Sequence, residues 1–272
     1  MIDMDLFAAL QYAFIRRAFI AGFFIALACS ILGVLLVLRR LSLIGDGLAH
    51  VSFGSVAISL LLGQQPSFVA IPIVMLSSLG ILKLMQKARL YGDAAIGIVS
   101  SLGVAGGVLI ASIAGGYNVD LFSFLFGNIL AISSVEVITS IILSIVVLAV
   151  VSLFYNEYFA TTFDEEFARI SGINVRKINS LLVLLTGITV VLTMKVVGIM
   201  LTSALLILPA VTALQIAKSF KTTMILSSLA GISSVITGIY ASFMLNLPTG
   251  ATIIMVNFLF FITAFLSRHA RL

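Results

Sequence analysis

Two ionisable side chains lie close together in an otherwise apolar stretch, LSLIGDGLAHVSFGSVAISLLLG, residues 41–63. Asp46 and His50 are four residues apart, so on a helix they share one face. A carboxylate and a neutral imidazole presented together suit a divalent transition metal, since imidazole favours zinc and iron and carboxylate favours manganese. Two ligands make a weak site, which suits an ion that must leave again. The alternative is a structural couple in which His50 merely neutralises Asp46.

Apolar residues make up 61% of the 272 residues, whereas charged residues make up only 9%. A water-soluble surface needs about a quarter charged residues, so the composition predicts a membrane protein. A helix needs about 20 apolar residues to cross a bilayer, which predicts eight or nine crossings. The runs are continuously apolar rather than alternating, so we expect an all-α polytopic bundle and not a β-barrel. The uncharged runs are 18–38, 51–82, 94–119, 121–135, 137–156, 178–194, 196–217 and 222–267.

The loops between the runs predict a path through the membrane. Turn sequences interrupt the two longest runs, GQQP at 63–66 and NLPTG at 246–250, so each of these runs is a helical hairpin. Placing the basic clusters in the cytoplasm gives nine crossings and an external N-terminus, with the first run as an uncleaved anchor. Arg16, Arg17 and Lys195 disagree with this orientation. The net charge of +5 requires no nucleic acid, because the basic residues cluster at span ends.

The depth of Asp46 and His50 follows from the distance to the next turn. Thirteen residues separate His50 from Gln64, about 20 Å of helix, against a hydrocarbon core of about 30 Å. The crossing must therefore begin upstream, which puts the pair within the membrane or on a broken helix; Gly45 and Gly47 would make a break easy. A mid-helix aspartate costs about 2.5–3.5 kcal/mol on insertion scales, so we expect it to face a water-filled path. In a two-fold dimer, two pairs would supply four ligands.

The polar segment 156–177 predicts a short amphipathic helix on the cytoplasmic side. Asp164 is a plausible N-cap and Gly172 a plausible stop. Phe163, Phe167 and Ile170 share one face. The segment is either a docking element for a soluble partner or an ordinary surface loop.

Few other side chains could complete a metal cage or catalyse a reaction. A cage from one chain would have to draw on Asp93, Asp120, Asn128 or Glu136. Asp93 is more simply the cap of a helix start, and Asp120, in an external turn, could contact an incoming ion or a partner. No phosphate loop is present and the dipeptide Gly-Lys does not occur, so we expect a non-enzymatic chain without an intrinsic cofactor, and any ATP hydrolysis must come from another subunit.

Six segments, in order from about Arg16 to Phe265, resemble one family. It is the zinc/manganese/iron branch of the ABC importer permeases, the membrane subunits that work with a metal-binding extracytoplasmic protein and a separate ATPase. The segments are VLRRLSLIGDGLAHVSFGSVAISLLLG at 37–63, GDAAIGIVSSLGVAGGVLIAS at 92–112, DLFSFLFGNIL at 120–130, TTFDEEFARISGINV at 161–175, VVGIMLTSALLILPAVTALQIA at 196–217 and LPTGATIIMV at 247–256.

The resemblance implies a type II ABC importer-like permease. Residues 1–272 would form a single transmembrane domain with a cytoplasmic coupling helix at about 161–176. Its partners would be a second permease copy, two copies of a cytoplasmic ATP-binding subunit and an extracytoplasmic metal-binding protein, in the bacterial plasma membrane. The cargo would be zinc, manganese or iron.

The resemblance also implies roles for individual residues. Asp46 and His50 match the acid and histidine of the metal path. The coupling segment that docks on the ATPase is matched by Phe163, Asp164, Glu166, Ala168 and Gly172. Further residues that would line or gate the path are Asp93, Asp120, Asn128, Ser203 and Pro209. Two positions depart from the family pattern: Gly92 stands where many relatives carry an acid, and 54–55 is Gly-Ser where a proline is expected nearby.

Three other functions compete with this one. A secondary transporter or channel would use Asp46 and His50 as an ion relay, and it would show inverted repeats and need no cytoplasmic partner. An intramembrane enzyme would use His50 as a base but lacks a convincing nucleophile partner for it. An importer of a chelate or vitamin would need a larger apolar cavity and no ligating pair.

Overall fold

The structure, a computed structural model, describes residues 11–87, 91–113, 127 and 132–269. Within these ranges the chain is helical and contains no strand. The helices are α1 Ala13–Leu38, α2 Ile44–Leu61, α3 Pro66–Lys87, α4 Gly92–Ile113, α5 Ser134–Leu153, α6 Tyr155–Phe163, α7 Glu165–Ile170, α8 Val175–Val197, α9 Ile199–Ile216, α10 Phe220–Leu245 and α11 Thr249–His269.

Among the described residues, eight helices are long and apolar enough to cross a membrane, and α9 is a shorter apolar helix. The prediction of an all-α bundle with eight or nine spans is therefore confirmed. Both predicted hairpin turns are present: the chain turns at Gly63, with φ of 63°, and at Asn246, with φ of 52°. Left-handed backbone of this kind favours glycine and tolerates asparagine, which explains the residue types.

The helices form two compact groups. The first group contains most of α1, most of α5, the end of α8, and α9 to α11. The second contains the end of α1, α2 to α4, the end of α5, α6, α7 and most of α8. The assignment of residues 1–272 to a single domain stays a prediction.

Glycines bring helices close together in the first group. A Cβ atom at Gly33 of α1 would lie 1.8 Å from the carbonyl oxygen of Leu206 in α9. Nearby, the Ser227 hydroxyl of α10 donates to the Ser30 carbonyl of α1 at 3.1 Å. Small residues and interhelical hydrogen bonds are the usual means of packing helices in lipid, where burial of apolar surface gives no net driving force.

The second group is built on a close crossing of α2 and α4. A Cβ atom at Gly54 would lie 2.4 Å from the Gly103 carbonyl oxygen, and one at Gly103 would lie 2.7 Å from the Val51 Cα. The backbones of the two helices are therefore in contact, so the crossing fixes α2 against α4. Gly54 itself, near which the resemblance leads us to expect a proline, takes part in this close crossing.

Replacing Gly103 by Val is expected to destabilise the protein by about 1–3 kcal/mol, because the side chain would have to enter the backbone of α2. Gly106→Val is the matched control, since a Cβ atom at Gly106 of the same helix meets no atom within 4 Å. The thermal midpoint in detergent measures the difference. Equal loss of stability in both variants would contradict the close crossing.

Candidate functional site

Asp46 and His50 lie on one unbroken helix. Helix α2 runs from Ile44 to Leu61, 18 residues or about 27 Å, close to the thickness of a hydrocarbon core. Of the two predicted placements, the broken helix does not occur. Gly45 is buried, and a Cβ atom at Gly47 would lie 2.6 Å from Cγ2 of Ile96, so Gly47 allows α4 to pack closely rather than breaking the helix.

The two side chains form a pair on the exposed face of α2. The His50 Nε2 atom lies 3.6 Å from the Asp46 Oδ2 atom, within ion-pair distance but beyond hydrogen-bond distance, and the side chains are 35% and 50% exposed, respectively. Phe53, one turn further on, is also half-buried, whereas most of α2 is buried. Asp46 belongs to the first turn of α2, where the helix dipole favours a negative charge. Both ligand atoms are therefore accessible from the same side.

The described part of the chain adds no third ligand to this pair, because it contains no group of three or more His, Cys, Asp or Glu side chains that could hold a metal. Asp93 is exposed in the first turn of α4, as a helix-start acid would be. Glu136 accepts a hydrogen bond from the Ser133 N–H at 2.7 Å, and the Glu136 N–H donates to the Ser133 hydroxyl at 3.4 Å, so the two residues form a capping box. Asp120 and Asn128 lie outside the described residues.

Ser203 and Pro209 lie on α9, in the first group of helices. Pro209 is buried inside the helix, and Ser203 is half-buried. A Cβ atom at Gly231 of α10 would lie 3.4 Å from Cγ of Pro209, so this proline packs against a neighbouring helix. A role for either residue in the path stays a prediction.

The predicted coupling segment, at about 161–176, lies on two short helices rather than on a single one. Helix α6 ends at Phe163 and α7 begins at Glu165, because Asp164 between them has extended backbone angles, φ −149° and ψ 100°. The Asp164 carboxylate accepts a hydrogen bond from the Phe167 N–H at 2.9 Å, which confirms the predicted N-cap.

The predicted stop of the coupling segment is also present. Gly172 has φ of 86°, its N–H donates to the Arg169 carbonyl at 3.2 Å, and the Ile173 N–H donates to the Ala168 carbonyl at 3.0 Å. This is the Schellman arrangement that ends many helices, and its left-handed position favours glycine. Asp164 and Gly172 therefore set the two ends of α7.

One face of the coupling segment is apolar and exposed. Phe163, Phe167 and Ile170 are 61%, 62% and 86% exposed, whereas Ala168 on the opposite side is buried. Phe167 and Ile170 are exposed together on α7 as predicted, whereas Phe163 is exposed at the end of α6, on the other side of the break at Asp164. Large apolar side chains clustered outside a membrane span are typical of an interaction surface.

Comparison with known proteins places the chain in a family. Residues 11–268 match the family model described as the ABC 3 transport family. The chain belongs to this ABC 3 family. The resemblance inferred from the six segments is confirmed.

Individual members of the ABC 3 family are similar over nearly their whole length. The manganese transport system membrane protein MntC of Listeria monocytogenes is 36% identical, over 94% of this chain and 91% of that protein. The manganese import system permease protein ScaB of Streptococcus gordonii is 34% identical, over 94% and 91%. The solved structure of PsaBC from Streptococcus pneumoniae in complex with Fab superposes with a TM-score of 0.85 and 30% identity, covering 96% of this chain and 94% of that one.

One side chain next to the predicted coupling segment of this ABC 3 chain, Arg39, was not singled out from the sequence. Its guanidinium, directly after α1, lies against α6 with its carbon Cζ 5.9 Å from the centre of the Tyr158 ring. Burial lowers the pKa of Arg39, and burial raises the pKa of Tyr158 to about 12 against the opposing effect of Arg39. The phenol therefore stays neutral at physiological pH and presents its ring to the cation. In the sequence, Arg39 and Arg40 form one of the basic clusters placed in the cytoplasm, and this pattern predicts only a loop.

Proposed function

We propose that this protein is the membrane-spanning permease subunit of an ABC importer for a divalent transition metal ion, with Mn²⁺ as the first candidate. The observation that carries the proposal is the match to the ABC 3 family over residues 11–268, together with an accessible carboxylate and imidazole on one helix face. The names of the similar proteins MntC and ScaB support manganese. Zinc and iron suit the same two ligand types, and the transport assay below compares all three.

The Asp46–His50 pair would receive the ion only briefly. Two ligands from one chain bind weakly, and the exposed face of α2 leaves room for the same pair from a second permease copy. Four ligands assembled at a two-fold axis would hold the ion, and separation of the two copies would release it. The affinity of the site for the ion would thus be high when the two permease copies are together and low when they are apart, as a transport path requires.

ATP hydrolysis would drive transport through contact of the ATPase with the exposed face of the coupling segment. In this proposal a separate ATPase binds Phe163, Phe167 and Ile170, and closure of its dimer moves α6 and α7. An extracytoplasmic metal-binding protein supplies the ion from the other side of the membrane. The helix bundle then needs two packing arrangements whose free energies differ by only a few kcal/mol.

Reconstitution in proteoliposomes tests the proposal. The permease is combined with the ATP-binding subunit and the metal-binding protein from the same genome, and accumulation of Mn²⁺, Zn²⁺ and Fe²⁺ is measured with and without ATP. We expect uptake to require ATP and both partners, and Mn²⁺ to be carried best. Uptake by the permease alone, driven by an ion gradient, would instead favour a secondary transporter.

A further inference from the structure

Arg39 joins three elements of the second group of helices. Its Nε donates to the Thr162 hydroxyl at 3.1 Å, and its two terminal nitrogens donate to the Asn179 side-chain oxygen and to the Thr161 hydroxyl. Thr161 and Thr162 form the last turn of α6, and Asn179 lies in the first turns of α8. These two helices flank α7, so one side chain connects both ends of the coupling segment to the end of α1.

The acceptors are oriented towards the guanidinium. The Thr161 hydroxyl uses its own hydrogen on the Glu157 carbonyl at 2.6 Å, which leaves its lone pairs free to accept from Arg39. Arginine suits this place because its planar fork can reach several acceptors at once, whereas an ammonium group is a single point charge.

The Arg39 contacts are neutral, which is unusual for a partly buried cation. Among the described residues no carboxylate lies within ion-pair distance of Arg39, and the Glu165 side chain pairs with Arg169 at 3.3 Å instead. Burial lowers the pKa of Arg39, and Tyr158 and the Glu165 carboxylate oppose this effect, Glu165 from beyond ion-pair distance. A partly buried cation held mainly by neutral acceptors contributes little net stability. Apolar residues would serve a purely structural contact better than this cation does.

The turn after Arg39 leads directly to the helix that carries the Asp46–His50 pair. The Arg40 N–H donates to the Val37 carbonyl at 3.1 Å, the Leu41 N–H donates to the Leu36 carbonyl at 2.8 Å, and the Ile44 N–H donates to Leu41 at 3.0 Å. Helix α2 begins at Ile44, and Asp46 is in its first turn. This turn is short, and its first two bonds form the Schellman arrangement that closes α1. A displacement at Arg39 would therefore have only this turn between it and the start of α2.

We propose that Arg39 is the positioning residue that transmits motion of the coupling segment to the Asp46–His50 pair. The inference rests on the proposed function. When the ATPase moves α6 and α7, the hydrogen bonds from Thr161 and Thr162 move Arg39, and the turn shifts the first turn of α2. Ion release is thereby linked to ATP hydrolysis through one side chain and one turn.

The test is the number of Mn²⁺ ions carried per ATP hydrolysed, measured in proteoliposomes that contain the complete complex. Arg39→Gln is expected to leave ATP hydrolysis nearly unchanged and to lower this ratio by at least about tenfold, the effect of losing a hydrogen bond to a charged group. Arg39→Lys should give a smaller loss. Arg40→Gln is the matched control: it removes the same charge one residue later, from an exposed side chain, and should keep the wild-type ratio.

A second variant covers the case in which Arg39→Gln does not fold. The double variant Thr161→Val, Thr162→Val keeps the guanidinium and the side-chain shapes but removes two acceptors, and it should lower the same ratio. A wild-type ratio in either variant would overturn the inference, and so would a loss of hydrolysis and uptake in equal proportion. Absence of ATP-driven uptake in the wild-type complex would instead refute the proposed function.

Discussion

Replacing Asp46 by Asn together with His50 by Gln is expected to abolish ATP-driven metal uptake. Both substitutions keep side-chain size closely but remove the charged oxygen and the imidazole nitrogen from the face of α2. Removing even an outer-shell partner of a metal ligand costs about 10- to 100-fold in metal affinity, so losing both ligands should cost more. Mn²⁺ accumulation in vesicles at a fixed ATP concentration measures the loss.

One control makes this result specific to the ion path. The double variant should assemble with the ATP-binding subunit in normal amount, because neither residue lies in the coupling segment. Asp93→Asn tests the separate prediction that this exposed acid in the first turn of α4 also lies on the path: uptake should stay within about twofold if its main interaction is with the helix dipole, and should fall further if it contacts the ion. Normal uptake in the Asp46, His50 variant would remove the pair from the path and favour the structural couple.

Much of the fold could be predicted from the sequence because its determinants are local. Continuous apolar runs fix the spans, and residues such as Gly63 and Asn246 fix the turns because their left-handed angles exclude most other residues. The same applies to the ends of α7, where Asp164 caps one end and Gly172 closes the other. Each of these features depends on a few neighbouring residues, which the sequence shows directly.

The features that sequence reasoning missed depend on distant residues. The acceptors of Arg39 lie 122, 123 and 140 positions further along the chain, so no local pattern indicates them. Gly47 was read as a place where α2 could break, but the glycine is needed for contact with Ile96 of α4. Glycine serves both purposes, and only the packing partner distinguishes them.

The candidate metal site also combines a local feature that the sequence predicts with a tertiary feature that it does not predict. The four-residue spacing of Asp46 and His50 predicted a shared face, and the 3.6 Å separation of their ligand atoms agrees with it. Whether that face is open depends on how α3 and α4 cover the rest of α2, which spacing alone does not determine. The accessibility of the pair is therefore a result of tertiary packing, and in the proposed function it is the property that would allow a second copy to complete the site.

Replacing Phe167 and Ile170 by Asp is expected to release the ATP-binding subunit from the complex. These side chains are 62% and 86% exposed in the isolated chain. Burying a large apolar side chain contributes about 1.5–3 kcal/mol, so burying both on docking would account for at least about a hundredfold in affinity. Co-purification of the ATPase with the tagged permease from detergent measures the effect.

Matched variants show whether retention of the ATPase depends on the apolar contact or on the formation of α7. Phe167→Leu keeps an apolar side chain on the face and should retain the ATPase, whereas Arg169→Gln removes only an exposed charge paired with Glu165 and should do the same. Asp164→Ala leaves the face intact but removes the N-cap of α7, which costs about 0.5–2 kcal/mol of helix stability, so its effect should be weaker than that of the double Asp variant. If the Asp variant still retains the ATPase, the exposed face is not the docking surface, and Arg39 would then have no motion to transmit.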